Sequence, residues 1–139
     1  MKEYWVIPCN IKHFDVVEHF KQKKTVIWKN SFSIHTGDVA YIYLGAPFSE
    51  IRFRCNVITD SVDDVTVKEN SYAIPTKPSR NYFSKRLKYI ALELDVSYPE
   101  GTFKLEELRK HGLGQTQIQA RADRQLKSFL FEREHQLGL

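Results

Sequence analysis

Ile51, Phe53, Cys55 and Val57 alternate with Arg52, Arg54 and Asn56. Successive side chains of a strand point to opposite faces, so this period of two predicts a strand with one face in a core and one in water. Residues 39–44, Val-Ala-Tyr-Ile-Tyr-Leu, are apolar without a break and predict a buried strand. His35-Thr36-Gly37-Asp38 is the turn that feeds it, and Gly45-Ala46-Pro47 ends it. Residues 3–8 predict a first strand that stops at Pro8, and β-branched and aromatic residues 25–28 predict a short extended segment. Leu92, Leu94 and Val96 mark one side of a further strand over 87–98, and 98–101 is a turn.

Helical periodicity is sparser. Asp15 stands three residues before Glu18, the spacing of a capping box, ahead of an apolar face of Val16, Val17 and Phe20. Thr102 is placed to cap a helix over 103–110 that ends at Gly112. A final helix over 122–134 carries the stripe Leu126, Phe129 and Leu130. Between them Gln115, Gln117 and Gln119 alternate with Thr116, Ile118 and Ala120, which predicts an extended piece. The polar region from 60 to 84 is long for a connection without structure, which points to function or a short helix there. Strands and helices do not alternate regularly, which argues against a doubly wound sheet. The pattern predicts an α+β fold: a small, mostly antiparallel barrel flanked by helices. At 139 residues the chain fits one domain, 1–139, with a core that needs no staples.

Cys9 and Cys55 match no metal or redox spacing and read as reduced thiols of a cytosolic protein. The five histidines are scattered, so no metal and no cofactor is expected. No apolar run approaches the roughly 20 residues that span a bilayer, and no basic-then-apolar leader opens the chain. A cytoplasmic location without a membrane partner is therefore expected. Gly112-Leu113-Gly114 is too short for a dinucleotide fingerprint, and neither a P-loop nor a nucleophile elbow is present. The net charge of +4 permits a nucleic-acid partner without requiring one. Lys77, Arg80, Lys85, Arg86 and Lys88 fall in one stretch without an acid, interleaved with Tyr82, Phe83 and Tyr89. Cations for phosphates and rings for bases are the ingredients of single-strand or flipped-base binding, so Lys77, Arg80 and Lys85 are the candidate phosphate contacts. A solvated loop with its aromatic residues tucked into the core would have the same composition.

Trp28-Lys29-Asn30-Ser31 carries the other candidate chemistry. An indole can stack on a base, and a side-chain amide can both donate to and accept from its edge. The same residues would serve equally to close one end of a barrel. Lys24 or Lys29 with Glu50 would make a hydrolytic pair if the fold brought them together.

Several elements occur in the order found in EVE domains of the PUA-like superfamily. They are Tyr4-Trp5-Val6-Ile7-Pro8, Trp28 followed by Asn30, Gly37-Asp38 leading into the 39–44 strand, the strand from 52 to 60, and Thr116-Gln117-Ile118-Gln119-Ala120 before a terminal helix. The chain resembles that family over nearly its whole length. The resemblance implies a PUA-like pseudo-barrel, similar in fold to the YTH readers of methylated adenine. It implies a role for Trp28 as a stacking wall, for Asn30 and Ser31 as pocket lining, and for Leu44, Gly45 and Ala46 as the rim. Asn10 and Gln117 complete the expected base-binding set. Lys29 stands where the family has an arginine, and Leu44-Gly45 replaces a polar rim, so the base itself stays open.

The resulting expectation is a non-catalytic module that recognises a modified, methylated nucleobase in DNA or RNA, with any downstream action falling to an effector protein partner. A small ASCH-like amidohydrolase acting on modified nucleosides and a PUA-like module for structured RNA are the alternatives. Oligomeric state is open.

Overall fold

The computed structural model describes residues 1–63 and 88–139. β-branched and aromatic runs form β1 (Tyr4–Cys9), β2 (Thr25–Asn30), β3 (Val39–Leu44), β4 (Glu50–Thr59) and β5 (Lys88–Ser97), with two-residue strands β6 (Phe103–Lys104) and β7 (Ala120–Arg121). The helices are α1 (Val16–Gln22), α2 (Leu105–Lys110) and α3 (Arg124–Gln136). The strands lie in the order β2-β5-β4-β3-β1-β7, and β6 pairs with β4. β1 and β3 are parallel, with Tyr4 opposite Val39 and Cys9 opposite Leu44, and the other pairings are antiparallel. A parallel pair needs a crossover, which here consists of α1 and β2. The sheet curls into a half-barrel with its helices at the sides.

Both faces of the central strands are covered. Ala40, Ile42 and Leu44 join a cluster with Trp5, Ile7 and Phe53, capped by Val16, Val17 and Phe20 of α1. Val39, Tyr41 and Tyr43 join a second cluster with Leu108 of α2 and Leu126 and Leu130 of α3. Burial on both sides is why β3 reads as an unbroken apolar run. The capping of α1 is as expected: the Asp15 carboxylate accepts from the Glu18 N–H at 3.1 Å.

Register shifts redistribute the alternating residues. Ile42 pairs with Phe53 but Tyr43 pairs with Ile51, so Arg52 is an extra residue in β4. Ile51 therefore faces α3, while Phe53, Cys55 and Val57 face α1. A second shift lies between Arg54 and Cys55 in the pairing with β5. Leu92 and Leu94 pack on the α1 side and Val96 on the α3 side, whereas the sequence places all three together.

Four other expectations are corrected. β1 runs through Pro8 to Cys9. Thr102 does not cap a helix: its hydroxyl donates to the Pro99 carbonyl at 2.7 Å, Phe103–Lys104 extend along β4, and α2 starts only at Leu105. Residues 115–119 bend rather than extend, because the Gln115 side-chain oxygen accepts from the N–H groups of Gln117 and Ile118 at 2.8 and 3.0 Å. The last helix begins after Asp123, whose carboxylate accepts from the Leu126 N–H at 2.8 Å.

Candidate functional site

The parallel strands β1 and β3 end side by side, and the chain leaves both ends in tight loops. Gly45 N–H donates to the Cys9 carbonyl at 3.1 Å and ties the two loops together. Beside them opens a cleft of about 390 Å³. Pro8 and Tyr43, paired in the β1–β3 register, lie on one side of it, and Cys9 borders it. Asn10 and Lys12 come from the loop after β1, Gly45 and Ala46 from the loop after β3, and Thr116 and Gln117 from the bent segment before β7.

Local hydrogen bonds hold these loops. The Asn10 side-chain oxygen accepts from the Lys12 N–H at 3.0 Å, and its carbonyl accepts from the N–H groups of His13 and Phe14. The Gly45 carbonyl accepts from Phe48 N–H at 3.2 Å. The Cys9 thiol donates to the Phe14 carbonyl at 3.3 Å, and burial pushes its pKa up from 9.0 to about 12. Gly45 leaves room: an added Cβ would meet only the Cys9 carbonyl, at 3.6 Å.

Gln119, which the sequence did not single out for function, fixes the third wall. It is 7% exposed. Its amide nitrogen donates to the Lys29 carbonyl at 2.6 Å and its oxygen accepts from the Ser31 N–H at 3.0 Å. This clamp holds the bent segment against the end of β2 and so presents Gln117 to the cleft. The alternation of glutamines was the available clue, but it signals a strand as readily as a clamp.

Of the eight expected base-binding residues, Asn10, Gly45, Ala46 and Gln117 meet at this cleft. The other four do not line it. Trp28, expected as a stacking wall, is only 8% exposed and sits in the α1 cluster, edge-on to Phe14 at 5.8 Å. Leu44 is fully buried in the same cluster, because strand alternation turns it away from the face that Tyr43 occupies. Asn30 folds back on its own loop, donating to the Ile34 carbonyl at 2.9 Å and accepting from Phe32 and Ile34 N–H at 3.3 Å each. Ser31 is held through its backbone by Gln119. The candidate phosphate contacts Lys77, Arg80 and Lys85 lie outside the described residues.

The Gly37-Asp38 turn is structural. The buried Asp38 carboxylate accepts from Trp5 Nε1 at 3.0 Å, His35 N–H at 2.9 Å and Glu3 N–H at 3.1 Å. Gly37 takes the positive φ of 92° that the turn requires. The Lys–Glu hydrolytic pair is not assembled. Glu50 is fully buried, accepting from Gly101 N–H at 2.7 Å and Arg52 Nη2 at 2.8 Å. Thr59, at the other end of β4, pairs with Ala91, which pairs with Ile27. Lys29 thus lies beyond the far end of that strand, roughly 30 Å along it at about 3.3 Å per residue. Lys24 aligns instead with Leu94, opposite Cys55, with β5 between it and the β4 strand that carries Glu50.

Among the described residues, no group of three or more His, Cys, Asp or Glu could hold a metal ion, and no helix is long and apolar enough to cross a membrane.

No protein-family profile matches the chain, and no curated protein matches it in sequence. Solved structures do share its fold. ASCH from Zymomonas mobilis is 13% identical with a TM-score of 0.62, covering 94% of each chain. A hypothetical protein from Leishmania major is 15% identical with a TM-score of 0.64, covering 99% of this chain and 98% of that one. Human THYN1, solved in complex with DNA containing 5-methylcytosine, is 10% identical with a TM-score of 0.65, covering 96% of this chain and 98% of its own. The chain therefore has the PUA-like α+β pseudo-barrel common to ASCH proteins and THYN1.

Proposed function

We propose that this chain binds nucleic acid by holding a modified nucleobase in the cleft at the ends of β1 and β3, and that it binds without turning the base over. The observation that carries this reading is the convergence of Asn10, Gly45, Ala46 and Gln117, from three separate segments, on one cleft. Its volume of about 390 Å³ falls within the roughly 300–1,000 Å³ typical of small-ligand sites. Two side-chain amides can read a polar edge, and Pro8 with Tyr43 offers an apolar surface for the ring and for a methyl group. Bringing a base out of a stack costs a few kcal/mol, which a damaged or unpaired base lowers. Burial of one methyl contributes about 0.8 kcal/mol, enough for a preference but not for affinity by itself. The affinity then comes from the amide hydrogen bonds and from backbone phosphates. THYN1 shares this fold and was solved with methylated DNA, which supports a nucleic-acid ligand of the same kind.

The test is fluorescence anisotropy with DNA and RNA oligonucleotides that differ in one modified base. The variants are Asn10→Ala, Gln117→Ala and Gly45→Leu. Gly45→Leu fills the cleft without a backbone clash. It is expected to weaken binding at least tenfold and to erase preference for the modified base, with the circular dichroism spectrum unchanged. Binding that is identical in all three variants would move the site elsewhere. Mass spectrometry of modified and acylated nucleosides after incubation is expected to show them intact; conversion by the purified chain would replace this reading with the amidohydrolase.

A further inference from the structure

We infer that the cleft takes an anionic, acceptor-only group, and that Lys12 supplies its counter-charge. This rests on the reading that the cleft is the ligand site. The reasoning is an accounting of donors and acceptors around it. Several acceptors near the rim already take a hydrogen bond. Cys9 O accepts from Gly45 N–H, Asn10 O from His13 and Phe14 N–H, Gly45 O from Phe48 N–H, and the Asn10 side-chain oxygen from Lys12 N–H. That last bond fixes the amide of Asn10, leaving its NH₂ as the available end. The Asn10 NH₂ and the Lys12 ammonium, which can only donate, have no protein partner among the described residues, and the Thr116 hydroxyl and Gln117 side-chain amide are free to donate as well as accept.

Charge points the same way. Lys12 is the one ionised residue type in the lining, which contains no Asp or Glu. Cys9 stays a neutral thiol. The nearby Asp15 carboxylate is turned to the α1 cap, accepting from Glu18 N–H. A neutral pyrimidine edge can pair with the amides but leaves the Lys12 charge without a counter-ion. A phosphate or carboxylate presents acceptors only, and an ammonium or amide bonds such a group more strongly than a neutral one.

Two ligand parts carry this chemistry: the phosphate of the nucleotide whose base is bound, or a carboxylate on the base. Calorimetric titration of the full chain separates them, using a nucleoside, its 5′-monophosphate, the 5-methyl and 5-carboxy forms of cytidine, and inorganic phosphate, each against wild type and Lys12→Gln. A phosphate ligand predicts that the monophosphate binds about ten- to a hundredfold tighter than the nucleoside. A carboxylate ligand predicts the same advantage for 5-carboxycytidine over 5-methylcytidine. Either advantage must collapse in Lys12→Gln and persist in Lys12→Arg. Equal binding of charged and neutral ligands, or an advantage untouched by Lys12→Gln, overturns the inference while leaving base recognition standing. Conversely, Lys12-dependent binding of inorganic phosphate, with no loss of oligonucleotide binding in Asn10→Ala or Gln117→Ala, keeps the anion site and removes the base.

Discussion

A tryptophan that exposes 8% of its surface acts first through packing. Trp28 fills space between α1 and the sheet, against Phe14. Trp28→Ala should therefore cost about 3–5 kcal/mol of stability, as large-to-small core changes do. Urea unfolding measures that cost, and oligonucleotide binding by the folded fraction should survive. Loss of binding at unchanged stability would return the indole to the stacking role the sequence suggests. Asp38 makes a related point. Its carboxylate is the common acceptor for three N–H groups, one of them the Trp5 indole. Asp38→Ala strands buried donors, at about 1–3 kcal/mol for each left unpaired, and should lower the urea midpoint without touching the cleft. Residue type announces what a side chain is able to do; Trp28 and Asn30 are able to read a base. Which face they occupy depends on strand pairing that residues 28–31 do not encode, and here that pairing spends both on the fold.

Elements were legible where one local force dominates. The unbroken apolar run made β3 plain, and Asp15 with Glu18 marked the start of α1. The sequence lost track where a long-range pairing competes with a local pattern. Phe103 and Lys104 fit a helix by themselves, yet they pair with Ile51 and Glu50. The bulge at Arg52 cannot be seen in an alternation that continues straight through it. The same limit applies to the cleft, whose halves are far apart in sequence and meet because β1 and β3 run parallel. α3 is fixed by a polar contact as well as by its apolar stripe. Arg54 joins Glu134 through Nη1 and Asp95 through Nε and Nη2, and Tyr41 donates to Glu134 at 3.3 Å. Glu134 is only 4% exposed. Arg54→Met would leave that carboxylate buried without a cation, at about 3–5 kcal/mol. Arg54→Met with Glu134→Leu should recover most of the loss, because the double variant buries no charge. A double-mutant cycle in urea reads the coupling, and simple additivity would mean that Arg54 and Glu134 do not hold α3 together.

Over the whole molecule, the two thiols and two of the buried hydroxyls share one constraint. Burial pushes the Cys9 thiol up from 9.0 to about 12, and it also raises Cys55, Tyr41 and Tyr98 above their ordinary values. In each case the folded protein holds its proton more tightly than the unfolded chain does. Stability then falls with pH only where the unfolded chain has lost protons that the folded one keeps. For Cys9 this window opens near pH 9 and closes near 12, and the tyrosines join from about pH 10. The urea midpoint should be level from pH 7 to 9 and drop steeply above, with a shallower drop in Cys9→Ala. Cys9 also links stability to the cleft it borders. A thiolate there would add a negative charge beside Asn10 and Lys12 and repel an anionic ligand. Because the thiol stays neutral, ligand affinity should not fall between about pH 6.5 and 8.5, and iodoacetamide should label Cys9 in native protein only as fast as the fold opens. Rapid labelling at pH 8, together with affinity that falls over the same range, would show a thiolate in the cleft and would contradict both the burial of Cys9 and the absence of negative charge from the cleft lining.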